Sequence, residues 1–475
     1  MNTILDLFDN SVRNFPNKTA VITKEKKCTF VELDQLSNSV AALFSKHLRK
    51  DVISIVMENS VDSIAAYLGV LKSGCIAHLV SQTVSERNLS EQLKSARSKL
   101  IICAKSSINK INTSIDKIDF DTAISPGNYP NREENHSNDI AYLIYTSGTT
   151  SNPKGSIISH SNIAFTTQNI INILRYTKDD RDVLPLPLSH SFGLGCLHTT
   201  LCVGSTLILH KNTMRPSEIF ESIKKHDATT FAAVPSTLTK YLNEYRNELE
   251  ESFSNLRLVI TNSTSIPKDT VIAFRRILRN GKIATYYGLT EASRSTFMIF
   301  DFDGKEESVG LPAPGVQIKL VDDENNESRD GQIWIKGSNV IKNYWNNELT
   351  DNIIDGWLKT GDIGYFDDDG YLYLRGRIDD LINVAGEKVN PSEIERVVKL
   401  LANIEDVVAV GTKHETFGQV VKLFVKKVTN SPITKSDIMV HCIKNLERYK
   451  VPVHIEFVDD FPRTEYGKIK RFLLQ

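Results

Sequence analysis

The sequence predicts an α/β protein in two parts: a large N-terminal domain of packed parallel and mixed sheets with helices and a β-subdomain, followed by a small α+β domain. Three observations carry this. The chain has 475 residues, which is room for about two to four packed units at the usual domain size. Helix and strand signals alternate through roughly the first 320 residues, the pattern of βαβ units around a parallel sheet. From Gly331 the character shifts to β-hairpins, and after Arg377 to a compact mixture of helices and strands.

Taken in order, ILDLFDNSVRNF and SNSVAALFSKHLRK carry apolar residues at helical three and four spacing, whereas VISIVM and LIICAK are short apolar runs that read as buried strands. Residues 125–139, rich in Pro, Asn and charge, read as a surface connection ahead of the strand IAYLIY. TLILH, TTFAAV and LRLVIT continue the strand series. The charge-free stretch between Asp182 and Lys211 contains Pro185, Pro187, His190 and His198. It reads as core strands and a pocket wall, because a membrane span wants about 20 predominantly apolar residues. Past Gly331, GQIWIKG and the alternation of Tyr371 and Tyr373 read as hairpin strands, with Asp367 to Gly370 as the turn. PSEIERVVKLL, EDVVAVGT and VVKLFVKK then give the C-terminal α+β unit. A hinge near Asp379 and Asp380 divides the chain into residues 1–377 and 378–475.

Composition excludes whole classes of function. Lys plus Arg number 57 and Asp plus Glu 58, a formal charge of −1, so no net field draws the chain to nucleic acid or anionic lipid. Any charged ligand must be met by a local site. Hydrophobic residues at 40% and charged residues at 24% are those of a folded globular protein, which excludes wholesale disorder. The six cysteines form no Cys-x-x-Cys pair and fit buried, reduced thiols. Asp6 and Asp9 interrupt the N-terminal run, so no signal-peptide pattern is present. A cytoplasmic protein with no nucleic-acid partner and no stable membrane insertion is expected.

Five segments carry chemistry. YTSGTTSNPKG, Tyr145 to Gly155, follows an apolar strand and can wrap phosphates. Thr146, Ser147, Thr149 and Thr150 supply hydroxyl donors, Gly148 permits close backbone approach, and Lys154 adds a point charge. It is not a Walker loop, since Pro153 precedes Lys154 and Gly155 follows it. YYGLTEAS offers Tyr287 to stack on a base, Thr290 to donate to a phosphate and Glu291 to hold Mg²⁺, a cation that prefers oxygen ligands and substrate phosphates. In KTGDIGYFDDDG, Asp362 suits bonding to ribose hydroxyls. Arg377, Gly386 and a helix start at Pro391 and Ser392 follow, and the chain closes on FPRTEYGKIKR with Lys468.

In this order the five segments resemble the acyl-adenylate-forming (AMP-forming) superfamily of acyl-CoA synthetases, peptide-synthetase adenylation domains and luciferases, and look most like fatty acyl-CoA or acyl-carrier-protein ligases. The resemblance covers essentially the whole chain, from LFDNSVRNFPNKTAVI to the terminal lysine motif. It implies a large N-domain, a small mobile C-domain, and activation of a carboxylic acid by ATP and Mg²⁺ to an acyl adenylate. The acyl group then passes to CoA or to the phosphopantetheine of an acyl carrier protein. By the resemblance, the Thr146 to Lys154 loop binds phosphate, Thr290 and Glu291 contact phosphate and Mg²⁺, and Tyr287 stacks on adenine. Asp362 and Arg377 hold the ribose, Asp379 is the hinge, and Lys468 bridges carboxylate and α-phosphate. The loop around Gly386 faces the thiol tunnel after the small domain rotates.

Departures from the family pattern are Ser151 for a loop glycine, TNSTSIP (261–267) beside adenine, Asn383 for a common lysine, and HLVSQTVSERN for a Pro-Leu-Asn-Pro stretch. No acid stands where amino-acid-activating members keep an aspartate. His190, Phe192, Gly193, Leu194, Ala232 and Ala233 form an apolar wall, so a fatty or similarly hydrophobic acid is expected. A non-catalytic nucleotide or acyl sensor is the alternative of another class. Intact Lys154, Glu291, Asp362 and Lys468 count against it.

Overall fold

The computed structural model describes residues 3–44, 50–124, 135–146, 154–262, 265–347, 352–463 and 469–474. They fall into two compact units, Met1–Gln317 with Ile335–Leu358, and Ile318–Trp334 with Lys359–Gln475. Ser147, Gly148, Thr149, Thr150, Lys468 and most of the 125–139 connection lie outside the described residues.

The first unit is built on two sheets. One runs in the order Lys117–Asp119, Leu100–Cys103, Val52–Val56, Ile76–Val80, Ile140–Thr146, Lys154–Ser159. Its strands are parallel until the last, which returns antiparallel to Ile140–Thr146. The other contains Thr19–Ile22, Thr206–Leu209, Arg181–Leu184, Thr230–Ala232, Leu258–Thr261 and Lys282–Leu289 in parallel, then turns antiparallel at Ala292–Ile299. Val52–Val56, Ile76–Val80 and Leu258–Thr261 are buried at every position, as strands covered on both faces must be.

Two helices explain how apolar sequence is consumed. Val61–Lys72 is capped by Ser60 and Ser63 in a reciprocal capping box and is buried from Ser63 through Lys72. Ser191–Val203, buried from Phe192 to Leu201, fills the charge-free stretch read from sequence as core strands and a pocket wall. Strands flank it at Arg181–Leu184 and Thr206–Leu209, but its centre is helical. A helix apolar on every face gives no periodic signal, and Gly193 and Gly195 further mask it.

Val316–Val321, Asp330–Gly337, Trp357–Phe366 and Leu372–Arg377 form a β-layer, of which residues 318–334 and 359–377 belong to the second unit. Tyr365 lies opposite Tyr373 across the turn at Asp367–Gly370, the rings stacked 4.9 Å apart, as the alternation predicts. A turn at Ile378–Asp380 leads to a sheet of Ile382–Val384, Glu387–Val389, Ile404–His414, Gly418–Lys427 and His454–Phe457. Helices Pro391–Lys399 and Lys435–Asn445 complete its core through Ile394, Val398, Ile438 and Cys442. Asn390 caps the first of them and Pro391 fills its first position.

Cys28, Cys75, Cys103, Cys196 and Cys442 are buried, and burial pushes the Cys28 and Cys442 thiols up to about 11. Among the described residues no helix is long and apolar enough to cross a membrane.

One buried carboxyl gives the fold a pH signature. Asp182 is fully buried and accepts one hydrogen bond, from the Thr230 hydroxyl at 2.7 Å. Burial pushes it up to about 7, against the downward pull of Thr230. A raised carboxyl favours the neutral form in the folded state, so its contribution is full below the ordinary carboxylate range and is lost as pH rises through about 7. Asp182→Asn keeps the shape and removes the titration. Melting temperatures of variant and wild type, compared from pH 4 to pH 9, should diverge in the variant's favour up to about pH 7 and run parallel above about pH 8. A constant difference across the range contradicts the buried titration.

Candidate active site

The hairpin Lys282–Leu289 and Ala292–Ile299 has Leu289 directly opposite Ala292, so Thr290 and Glu291 are its whole turn. Both are half-buried. Glu291 is fixed twice: its carbonyl accepts from the Ile341 N–H at 2.9 Å, and its carboxylate accepts from the Tyr344 hydroxyl at 2.9 Å. Burial and the adjacent Glu291 carboxylate push the Tyr344 phenol up, which keeps it a donor. One side of the carboxylate is thereby held in place, and a hard oxygen donor on a tight turn suits a Mg²⁺ ion carried by phosphates.

Tyr344 also reaches the second segment. Ser156, on the strand Lys154–Ser159, forms an antiparallel bridge with Tyr344, and Gly155 lies against Tyr145 and Trp345. A Cβ at Gly155 would come within 3.0 to 3.2 Å of those two side chains, so glycine is what lets the aromatic pair close over the strand. Thr146 and Lys154 face each other in register, with Lys154 exposed. The structure thus joins the base of the Thr146 to Lys154 loop and the Thr290–Glu291 turn through Val340–Trp345.

Tyr287 is buried at 6% exposure, and its peptide N–H donates to the Thr296 hydroxyl at 3.3 Å. His190 is the half-buried residue that precedes the helix Ser191–Val203. Asn59 shapes the approach to it: the amide donates to the carbonyls of Leu186 and His210 at 2.8 and 2.9 Å and accepts from the Leu188 N–H at 3.0 Å. Pro185 and Pro187 lack a donor, and Asn59 serves the remaining backbone groups. Next to this loop a cavity of about 20 Å³, lined by Tyr67, Leu188, Ser189, Leu194 and Leu197 among others, is close to the size of one water. Phe192 meets Tyr286 edge-on at 5.5 Å, and Leu194, Ala232 and Ala233 are buried. His198 is a core histidine: its Nε2 meets the Tyr67 hydroxyl at 2.9 Å, and burial lowers it to about 3.

In the second unit, Asp362 and Arg377 are register partners and an ion pair at 3.2 Å. The Asp362 N–H donates to the Thr360 hydroxyl, which donates to the Ile333 carbonyl. Gly361, at φ +75, leaves room for the guanidinium 3.1 Å from where its Cβ would stand. Arg377 also lies 3.7 Å from Asp379 in the turn that follows. Ala385 and Gly386 both take positive φ at the hairpin tip, where the Asn383 side chain accepts from the Gly386 N–H at 3.0 Å.

Sequence reasoning missed Tyr344, Asn59 and Arg294. Tyr344 and Trp345 form an aromatic pair in NVIKNYW, which was the available signal. Nothing local marks Asn59, whose partners are 127 to 151 positions away.

Residues 8–345 match the family model described as AMP-binding enzyme, and residues 393–468 that of the AMP-binding enzyme C-terminal domain. The chain is 30% identical over 536 aligned residues to the long-chain-fatty-acid–CoA ligase of Haemophilus influenzae, covering 100% of this chain and 94% of that protein. It is 28% identical to the oxalate–CoA ligase of Arabidopsis thaliana, over 99% and 97% of the two chains. Among solved structures, the o-succinylbenzoate CoA synthetase of Bacillus subtilis with its acyl-adenylate intermediate matches with a TM-score of 0.89 at 27% identity, covering 99% of this chain and 97% of that one. With its length spanned by the two family models and by these relatives, the chain belongs to the AMP-binding enzyme family.

Proposed function

We propose that this chain is an AMP-forming ligase that joins a carboxylic acid to the thiol of CoA in two steps. In the first, a carboxylate oxygen bonds to the α-phosphorus of ATP and pyrophosphate leaves. In the second, the CoA sulfur bonds to the acyl carbonyl carbon, AMP leaves and the thiol proton is released. The observation that carries this reading is the Tyr344 link, which ties the carboxylate of Glu291 to the strand closing the Thr146 to Lys154 loop. Two anions must meet, and positioned charge is what such a reaction requires.

In this reading Thr146, Ser147, Gly148, Thr149, Thr150 and Lys154 cradle the phosphates, and Thr290 donates to one of them. Glu291 would hold Mg²⁺, which when bound neutralises charge as pyrophosphate departs. Tyr287 lies beside adenine, Asp362 accepts from the ribose hydroxyls, and Arg377 sets the Asp362 orientation while contacting the same sugar. Lys468 bridges carboxylate and α-phosphate, His190 borders the acyl group, and the Gly386 tip borders the thiol. The moving part begins after Arg377, with residues 378–475 turning about Asp379. CoA as the acceptor is supported by the relatives named as CoA ligases. The buried Phe192, Leu194, Ala232 and Ala233 support an acid with an apolar body, and the buried thiols support a cytoplasmic setting.

Lys468→Ala should lower acid-dependent pyrophosphate release by about 100- to 1,000-fold while ATP binding, followed by titration, persists. Release at the parental rate removes the assigned role. Asp379→Pro should slow thioester formation far more than adenylation, since proline fixes the backbone where rotation is needed. Equal loss in both half-reactions refutes the hinge. Tyr344→Phe frees the Glu291 carboxylate and should raise the half-saturating Mg²⁺ concentration by about five-fold, the worth of one hydrogen bond, with the KM for the acid unchanged. An unaltered Mg²⁺ dependence sets the tyrosine outside the metal's surroundings.

A further inference from the structure

Arg294 stands three residues beyond Glu291 and is buried, 4% exposed, with a left-handed backbone at φ +56. Its guanidinium lies over the Tyr286 ring at 4.8 Å and donates to the Ser191 and Phe192 carbonyls at 3.1 and 3.3 Å and to the Ser293 hydroxyl at 2.6 Å. Its Nε–H is buried without an acceptor, and no carboxylate pairs with it among the described residues. Gly195 makes the arrangement possible, because a Cβ there would fall 1.9 Å from the arginine Nη2.

A guanidinium cannot shed its charge by losing a proton. A buried charge facing only neutral groups, here two carbonyls, a hydroxyl and a ring, is costly unless an anion accompanies it. Two hydroxyls stand beside the guanidinium to share an anion with it. Ser191 and Ser293 are both half-buried with hydroxyls 3.3 Å apart, and Arg294 bonds one of those hydroxyls directly. These residues belong to the helix start after His190, the residue that borders the acyl group in the reading above, and to the hairpin that carries Glu291.

We propose that Arg294, with Ser191 and Ser293, forms an anion subsite that selects acids bearing a second carboxylate, so that the preferred substrate is a dicarboxylic acid. This rests on the adenylation reading and deepens it. Arg294 is three residues beyond Glu291, their Cα atoms at most about 10 Å apart, so the subsite lies near that turn and suits the shorter diacids. In this proposal the acyl body passes Phe192 and Tyr286, which meet edge-on at 5.5 Å, and its far end meets the guanidinium.

The test compares acid-dependent pyrophosphate release for matched pairs, butyrate with succinate, pentanoate with glutarate and octanoate with suberate, in wild type, Arg294→Met, Arg294→Lys and Ser293→Ala. Wild type should favour the dicarboxylate of a short pair by at least about 10-fold in kcat/KM, the worth of one charge-assisted hydrogen bond. Arg294→Met should erase that ratio, Arg294→Lys should keep part of it, and the half-buried Ser293→Ala should reduce it through KM with little effect on kcat. Melting curves check that each variant folds, and the wild-type ratio alone decides if Arg294→Met does not. Monocarboxylates used as well as their partners by wild type overturn the proposal and leave adenylation standing. Loss of ATP affinity in Arg294→Met with the acid ratio intact reassigns the guanidinium to the nucleotide and also overturns it. Silence with every acid removes the adenylation reading itself, and the proposal with it.

Discussion

The pairing of Leu289 with Ala292 is the constraint on which the rest of the site depends. The strand Lys282–Leu289 belongs to a parallel run, and reversal there in two residues forces Thr290 and Glu291 out at the end of the sheet. No longer connection would hold a carboxylate at so defined a place. The same reversal sets Ser293 and Arg294 against the start of the helix Ser191–Val203. Asn339 consolidates the returning strand, its amide donating to the Ser293 carbonyl at 3.2 Å and to the Ser295 hydroxyl at 2.9 Å. The residues proposed for Mg²⁺ and phosphate and those proposed for the acyl end thereby share a single hairpin.

Charge is handled in two contrasting ways on that hairpin. Glu291 is half-buried and held by a neutral donor, Tyr344, which orients the carboxylate without neutralising it. Its charge remains for a cation that arrives with substrate. Arg294 is buried beneath serine hydroxyls and carbonyl oxygens, and keeps a full positive charge in a region where ions interact strongly. Elsewhere the unit does not leave such charges alone: Asp180 is held by two hydrogen bonds from Arg257, at 2.6 and 2.7 Å, and stays ionised despite burial because of them. Lys72, 2% exposed, is likewise bound by Asp34 at 2.6 Å. Among the described residues Arg294 differs from these in having no carboxylate partner, and the proposed anion subsite rests on that difference.

Most of this was legible in the sequence, because the signals were local. The apolar runs that became strands, the DDDG turn at Asp367–Gly370 and the helix start read at Pro391 and Ser392 are each decided by a few adjacent residues. What stayed hidden had non-local causes. The helix Ser191–Val203 is apolar on all sides, so no period separates it from buried strand. Asn59 acts on residues beyond position 185, and Tyr344 acts on Glu291, 53 residues before it. Arg294 directly follows the motif YYGLTEAS, yet nothing in SRS says whether an arginine points to solvent or lies over a tyrosine. Gly195, almost a hundred residues earlier, provides the space that decides it.

Arg377 joins the β-layer to the turn Ile378–Asp380 by a shared cation. Its guanidinium lies 3.2 Å from Asp362 and 3.7 Å from Asp379, one carboxylate in the β-layer and one in the turn Ile378–Asp380. Asp362 is largely buried and fixed by the Thr360 hydroxyl, whereas Asp379 is mostly exposed on a short turn. Exposed pairs contribute little, about 0 to 1 kcal/mol, so the buried partner holds the arginine and the exposed one yields. A change of backbone angles at Ile378–Asp380 can therefore carry Asp379 away while Arg377 stays with Asp362. In the proposed mechanism, rotation about this turn therefore leaves the Asp362–Arg377 pair intact.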